Sequence, residues 1–211
     1  MDGTFNHRDD SAKMQKMVLA ALFAALIAVG AYIKIPIGPI PITLQTFFVL
    51  LAAVTLGRNW ATISIIVYTL IGFIGLPVFA GGAAGLGILF GPTAGYLYSF
   101  VIVAFLVGWL SDIWKKMYFE KSPVMDSERN PVMNPAKNPV MNHIVMLGLA
   151  VFGSIIILGV GTLHLAFSSS LPLSAAFSVG FAPFFIGDMI KSAAVGIVAP
   201  LLIRKVNFKA A

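Results

Sequence analysis

Long uninterrupted apolar runs are the feature that most constrains how this chain can fold. Six of them occupy most of the 211 residues, at approximately 17–33, 41–57, 60–76, 93–111, 143–167 and 182–203. Within each run the apolar residues are nearly continuous, unlike the alternating stripes of a soluble protein's surface elements. A helix crosses a bilayer core of roughly 30 Å with about 20 apolar residues. The sequence therefore predicts an all-α integral membrane protein, a compact bundle of six transmembrane helices.

Composition limits what else the chain can contain. Hydrophobic residues make up 59% of the sequence and charged residues 10%, and the six runs use most of its length. We therefore expect one membrane domain over residues 1–211. The chain has no cysteine and three histidines, so a disulfide framework and a thiolate metal site are excluded. We expect no bound metal and no cofactor.

Lysine and arginine residues orient this bundle in the membrane. Twelve of the fourteen lie in the tails and in the loops after spans 2 and 4: Arg8, Lys13, Lys16, Arg58, Lys115, Lys116, Lys121, Arg129, Lys137, Arg204, Lys205 and Lys209. The opposite loops contain Lys34, and Lys191 lies inside span 6. Because cytoplasmic loops carry excess positive charge, both termini are expected in the cytoplasm. The net charge of +6 thus sets topology and does not indicate nucleic-acid binding.

Two of the outward loops are rich in proline and glycine and almost free of charge. They read KIPIGPIPIT at 34–43 and LPVFAGGAAGLGILFGPTAG at 76–95. Irregular backbone at membrane depth is tolerated where it is buried in protein or lines a cavity. Gly81, Gly82 and Gly85 therefore indicate either close approach of the backbone to a ligand or a tight re-entrant turn that binds nothing.

The inward loop at 113–142 has a different character. It contains the tripeptide PVM at 123–125, 131–133 and 139–141, within an eight-residue repeat rich in proline and asparagine. We expect a flexible cytoplasmic linker, because three short polar copies cannot build a repeat fold. A tolerated repeat expansion is favoured over a docking site.

The sharpest chemical signal is a charged pair in span 6. Of the eight acidic residues, Asp188 alone lies well inside an apolar run, and Lys191 lies three positions later on the same helical face. A charge at the bilayer centre costs roughly 2.5–3.5 kcal/mol on insertion scales, so such residues normally mark a pathway or a ligand site. The alternative is a structural ion pair that fixes span 6 to the bundle.

Other polar residues lie at the same outward level. Thr43, Gln45 and Thr46 open span 2, and Thr93, Tyr96 and Tyr98 open span 4. Each has a structural alternative: a helix cap for Thr93, interfacial anchoring for the tyrosines and an interhelical hydrogen bond for Gln45. His164, near the outward end of span 5, is interpreted as packed or interfacial and not as a ligand. Together these residues predict a small, mostly apolar pocket that opens to the outside.

Three segments resemble one known family. PITLQTFFVLLA at 41–52, GLPVFAGGAAGLGILFGPTAGYLYSF at 75–100 and PFFIGDMIK at 183–191 are similar to the signatures of the BioY family. These proteins are the biotin-specific substrate-binding (S) components of energy-coupling factor (ECF) transporters. The resemblance covers spans 1 to 6 in order, and only the linker at 113–142 departs from it.

The resemblance implies a multi-pass protein of a prokaryotic plasma membrane that captures biotin with high affinity at its outer end. It also implies partners, namely a transmembrane coupling subunit and ATPase subunits. The sequence agrees, because no GxxxxGK[ST] motif occurs in it and energy must come from elsewhere. The alternative is a self-sufficient secondary carrier for biotin or another small vitamin. A membrane enzyme ranks last, since it would need a nucleophile and a base in the apolar spans, and these contain no GxSxG, HExxH or paired aspartates.

Biotin's chemistry fits the candidate pocket. Asp188 can accept hydrogen bonds from the ureido N–H groups, and Lys191 can donate either to the ureido carbonyl or to the carboxylate. Thr43, Gln45 and Tyr96 are secondary candidates. The glycines at 81, 82 and 85 would give close backbone contact.

Small residues form a stripe on span 1. Ala20, Ala24 and Ala28 recur every four residues, with Ala21 and Ala25 beside them. Such a stripe lets another helix approach closely. In the family it docks the coupling subunit, so the resemblance predicts the same role here. Packing against a neighbouring helix of the same chain is the alternative.

Overall fold

The computed structural model describes residues 7–36, 40–120 and 139–205. Within these ranges the chain forms seven α-helices: α1 His7–Tyr32, α2 Gln45–Leu56, α3 Arg58–Phe73, α4 Ala94–Glu120, α5 Pro139–Ser168, α6 Leu173–Gly180 and α7 Ala182–Lys205. A 3₁₀ helix, Leu86–Phe90, precedes α4. A short hairpin of β1 Lys34–Ile35 and β2 Ile42–Thr43 joins α1 to α2.

Each of the six predicted spans coincides with one of these helices. Four helices are long and apolar enough to cross a membrane, over Lys13–Tyr32, Ala94–Met117, Pro139–Ser168 and Ala182–Arg204. Helix α2 is apolar but has 12 residues, and α3 has 16. The prediction of a helical membrane protein is confirmed.

The bounds predicted for the linker, 113–142, are wrong at both ends. Helix α4 continues to Glu120 and α5 begins at Pro139, because proline is well tolerated in the first turn of a helix. The Nε1–H group of Trp114 donates a hydrogen bond of 3.0 Å to Oδ1 of Asn142, which joins the two helices at this end. The third PVM copy therefore belongs to α5, and the first two lie outside the described residues.

The segment at 168–181, between the fifth and sixth predicted spans, is also more ordered than a loop. It contains helix α6, which begins after Pro172, and only Phe181 separates α6 from α7. The ring of Phe181 stacks on Phe177 at a centroid distance of 4.7 Å and on Phe185 at 5.8 Å. These stacked rings span the junction between α6 and α7.

Helix α2 lies at the centre of the fold, packed against α1, α3, α4, α5 and α7. Every residue from Val49 to Val54 is buried. A helix that is apolar all round is stable only when other elements surround it. Because α2 is central, the polar residues at its first turn face the interior of the protein.

The sharp turn between α2 and α3 is held by α4. Gly57 has a φ of +78°, a conformation that favours glycine. The backbone N–H of Arg58 donates a 2.8 Å hydrogen bond to Oδ2 of Asp112, and Lys115 Nζ donates one of 2.9 Å to the carbonyl of Thr55. A carboxylate at a helix N-terminus and a cation at a C-terminal carbonyl both suit the helix dipole.

Candidate functional site

A cavity of about 230 Å³ lies at the end of the bundle where α2, α4 and the β-hairpin begin. This is slightly below the range of roughly 300–1,000 Å³ that is usual for drug-sized ligands, so a small molecule fits it. The cavity is lined by Ile40, Pro41, Thr43, Gln45, Thr46, Phe79, Ala80, Ala83, Ile88, Thr93, Tyr96, Leu97, Phe100, Ile157, Leu158, Phe184, Asp188 and Lys191. Most of these side chains are apolar, and the polar ones are few.

Three polar side chains meet in one cluster on the cavity wall. Lys191 Nζ lies 2.7 Å from Asp188 Oδ1 and donates a 2.9 Å hydrogen bond to Thr46 Oγ1. Thr46 Oγ1 in turn donates to Asp188 Oδ1 at 3.1 Å. The side chain of Asp188 is 3% exposed and that of Lys191 is 11% exposed. The two charges thus neutralise each other inside the protein.

The geometry of this cluster leaves hydrogen-bonding capacity for a ligand. Both contacts to Asp188 from the described residues use Oδ1, although an ionised carboxylate offers about four acceptor sites. Oδ2 therefore remains able to accept from donors in the cavity. Lys191 has three N–H donors, of which two contact Asp188 and Thr46.

A second polar chain runs from the hairpin to the glycine-rich loop. Thr43 Oγ1 donates to Gln45 Oε1 at 3.1 Å, Gln45 Nε2 donates to the hydroxyl of Tyr68, and that hydroxyl donates to the carbonyl of Val78 at 3.2 Å. Gly30 permits this arrangement, because a Cβ there would lie 3.1 Å from the backbone nitrogen of Gln45. Gln45 is therefore firmly oriented on the cavity wall.

Tyr96 contributes its ring to the cavity wall. Its hydroxyl donates a 2.7 Å hydrogen bond to the carbonyl of Gly180, at the end of α6. Its ring lies 6.4 Å from that of Phe184, measured between centroids. The hydroxyl thus connects α4 to α6.

The three glycines predicted to approach a ligand do not line this cavity. Gly81, Gly82 and Gly85 have φ values of +77°, +82° and +90°, so their conformation explains why glycine occurs there. Their neighbours Ala80 and Ala83 do line the cavity.

The alanine stripe of α1 divides between two environments. Ala20 is 3% exposed and Ala24 is 5% exposed, and both belong to the hydrophobic core. Ser64 of α3 donates a 2.8 Å hydrogen bond to the carbonyl of Ala20. Ala20 and Ala24 therefore pack inside the chain, as the alternative interpretation held, and are not accessible to a partner. Ala28 is partly buried, whereas Ala21 and Ala25 are exposed.

Several cavity residues were not among the binding residues predicted from the sequence. Thr46 and Thr93 had a signal, since both are polar residues at the outward ends of apolar runs. Ile157, Leu158 and Phe184 had none, because an apolar residue in an apolar helix looks the same whether it faces lipid, core or cavity. His164 Nε2 lies 3.2 Å from the carbonyl of Gly91, outside the cavity lining.

Comparisons with known proteins agree on one family. The BioY family model matches residues 5–208. The chain is 38% identical over 186 residues to the biotin transporter BioY of Thermotoga maritima, covering 88% of this chain and 94% of that protein. It is 35% identical over 197 residues to the biotin transporter BioY2 of Lactococcus lactis subsp. cremoris, covering 93% and 94%.

A solved structure shares the fold. The crystal structure of the S-component for biotin from an ECF-type ABC transporter superposes with a TM-score of 0.73 at 29% sequence identity. The match covers 96% of this chain and 95% of that one. The similarity therefore extends over the whole bundle, including the helices that line the cavity.

Proposed function

Since this chain belongs to the BioY family, we propose that it is the biotin-binding subunit of a vitamin uptake transporter in the cell membrane. The observation that carries the proposal is the buried cluster of Asp188, Lys191 and Thr46 on the wall of an otherwise apolar cavity. Biotin combines an apolar ring and chain with a polar ureido group, so its chemistry matches that wall. The relatives named biotin transporters support the same ligand.

The ureido group of biotin is the partner we assign to the charged cluster. Its N–H groups can donate to Oδ2 of Asp188, and its carbonyl can accept from the remaining donor of Lys191. The thiophane ring and valeryl chain would then lie against apolar side chains such as Phe79, Ile88 and Phe184. Thr43 and Gln45 border the same space.

We further propose that six helices span the membrane, α1 to α5 and α7, in one domain with both termini in the cytoplasm. The clustering of twelve cations on one side supports this topology. It places the cavity toward the outside, where a vitamin must be captured. Helices α2 and α3 are short for the bilayer, but α2 is surrounded by protein.

Equilibrium binding to the purified chain tests the ligand directly. Radiolabelled biotin should bind with high affinity, and thiamine and riboflavin should not compete, because neither has a cyclic urea with an N–H donor on both sides of its carbonyl. Competition by either vitamin at comparable concentration would contradict biotin specificity. Uptake by the chain reconstituted alone in vesicles would favour a self-sufficient carrier over dependence on an ATPase module.

The energy source proposed for uptake is an ECF module, with a coupling subunit docked on α1. The docking face proposed here differs from the stripe predicted from the sequence. Ala21 and Ala25 are exposed and Ala28 is partly buried on the same side of α1, so we assign docking to this face. Small residues on it would let a partner helix approach closely.

Tryptophan substitutions separate this face from the internal one. Ala25→Trp should abolish uptake and co-purification with the coupling subunit while leaving biotin affinity intact. Ala24→Trp should instead destabilise the chain by roughly 1–3 kcal/mol, because it overpacks the core, and should weaken binding and coupling together. Normal uptake by the Ala25→Trp variant would exclude the exposed face.

A further inference from the structure

The charged residues on the cavity wall leave the carboxylate of biotin without a partner. Among the described residues, the charged side chains that line the cavity are Asp188 and Lys191, and they form an ion pair with each other. Biotin carries a carboxylate at neutral pH. An unpaired carboxylate next to apolar surface is unfavourable, so a cation within reach of the cavity would stabilise this end of the ligand.

Most cations in the described part of the chain lie too far away to serve. Arg58 follows the end of α2 remote from the cavity, and Lys115, Lys116 and Arg204 lie at the corresponding ends of α4 and α7. Lys13 and Lys16 lie near the start of α1, a helix length from the hairpin. Lys34 is the exception, because it belongs to the hairpin itself.

Lys34 lies at the rim of the cavity. In the β-hairpin it pairs directly with Thr43, which lines the cavity, and directly paired residues project from the same face of a sheet. Residues Ile40 and Pro41 of the connection between the strands also line the cavity. Lys34 itself is exposed, so this side of the hairpin joins the cavity to solvent.

The ammonium group of Lys34 is directed toward the glycine-rich loop. A Cβ added at Gly81 would lie 2.7 Å from Lys34 Nζ, so the ammonium lies directly beside the backbone of this loop. Ala80, which precedes Gly81, and Ala83, two positions after it, line the cavity. The ammonium therefore lies between two rim segments, and it makes no hydrogen bond or ion pair with any residue that the structure describes.

We propose, on the basis of the biotin-binding function proposed above, that Lys34 binds the ligand's carboxylate at the rim of the cavity. Biotin then lies with its ureido group at Asp188 and Lys191 and its valeryl chain directed toward the hairpin and the glycine-rich loop. Lys34 is the specificity-determining residue for the acid end of the ligand.

The test compares two ligands that differ only at that end. Dissociation constants for biotin and for biotinol, in which a hydroxymethyl group replaces the carboxylate, are measured on the purified full chain. The variants are Lys34→Met, Lys34→Arg and, as a matched control at the other end of α1, Lys13→Met. Lys34→Met keeps an unbranched side chain one atom shorter and removes the charge.

Lys34→Met should weaken biotin binding about three- to tenfold, because an ion pair at a partly exposed rim contributes less than a buried one. Biotinol affinity should stay the same, and the salt dependence of biotin binding should decrease. Lys34→Arg and Lys13→Met should both retain biotin affinity.

Three results would overturn the assignment: equal losses for both ligands, no loss for either, or a loss with Lys34→Arg as large as with Lys34→Met. If the native chain binds neither biotin nor biotinol, the proposed function itself fails. These outcomes therefore distinguish an error about Lys34 from an error about the ligand.

Discussion

Two aspartate–lysine pairs with the same spacing lie on different helices of this protein. Asp188 and Lys191 of α7 are 2.7 Å apart, with side chains that are 3% and 11% exposed. Asp112 and Lys115 of α4 are 3.7 Å apart, with side chains that are 48% and 13% exposed. One pair lines the cavity, and the other lies beside the turn between α2 and α3.

The pairs differ most in what the remaining polar atoms do. Asp112 accepts from the backbone of Arg58, and Lys115 donates to the carbonyl of Thr55, so both groups satisfy helix ends. The hydrogen bonds of Asp188 come from Lys191 and a threonine hydroxyl and use one oxygen. An Asp–x–x–Lys pair is thus structural where its side chains hydrogen-bond to backbone groups at helix ends. It can bind a ligand where it lines a cavity and keeps free hydrogen-bonding capacity.

Neutralising each aspartate in turn tests whether the two pairs have different roles, and the largest effect is expected at Asp188. Asp188→Asn keeps the size of the side chain but replaces an acceptor with a group that also donates. Hydrogen bonds to charged groups contribute roughly 1.5–3 kcal/mol, so biotin affinity should fall by about ten- to a hundredfold. Titration of the purified variant with labelled biotin measures the change, and Lys191→Met should cost a similar amount.

Asp112→Asn is the matched control for this substitution. It removes the negative charge at the N-terminus of α3 and beside Lys115. Such a charge contributes about 0.3–1 kcal/mol, so the melting temperature without ligand should fall slightly while biotin affinity stays unchanged. If Asp188→Asn also lowered only the melting temperature, both pairs would be structural and the cavity would lose its assigned polar end.

The amino-acid sequence alone distinguishes these pairs, because burial in the membrane makes a charge costly. Asp188 lies in the middle of an apolar run, whereas Asp112 follows the end of one, and this contrast singles out Asp188 as the candidate ligand-binding residue. The same logic locates the four helices that are long and apolar enough to cross a membrane. Helix α6 is not predicted in this way, because it has only eight residues. The serines, proline and glycine in and around it are typical of a loop.

Contacts between distant residues could not be predicted in the same way. Nothing in the sequence indicates that Ala20 and Ala24 face α3 and the core while Ala21 and Ala25 face outward, because every one of them is a small residue in the same apolar helix. Likewise the glycine-rich loop contributes Ala80 and Ala83 to the cavity instead of Gly81 and Gly82. Its glycines are explained by backbone conformation.

Thr46 belongs to the cavity cluster, because its hydroxyl hydrogen-bonds to both members of the α7 pair. Thr46→Val keeps the shape of the side chain but removes the hydroxyl that bridges Asp188 and Lys191. Asp188 and Lys191 would still pair, so the loss in biotin affinity should be about three- to tenfold, the effect of one hydrogen bond. Competition binding measures this difference.

Thr69→Val is the control for Thr46→Val. The Thr69 hydroxyl donates to the carbonyl of Ile65 within α3, at 2.7 Å, and Thr69 does not line the cavity. It should leave biotin affinity unchanged. A loss in the Thr46 variant as large as that of Asp188→Asn would instead mean that the hydroxyl itself orients the carboxylate.

The smallest effect is expected at Tyr96, which combines features of both regions. Its ring lines the cavity, as Asp188 does, but its hydroxyl satisfies a backbone carbonyl, as Asp112 satisfies a backbone N–H. Tyr96→Phe keeps the ring and leaves the carbonyl of buried Gly180 without this donor. Stability should fall by about 0.5–1.5 kcal/mol, the contribution of a typical hydrogen bond, and biotin affinity should change by less than about threefold. Melting temperature and affinity are measured together. The control is Tyr98→Phe, because the hydroxyl of Tyr98 donates to the carbonyl of Leu89 at an exposed position. A tenfold loss of affinity at an unchanged melting temperature would show that the Tyr96 hydroxyl turns to the ligand, which would place it with Asp188 and not with Asp112.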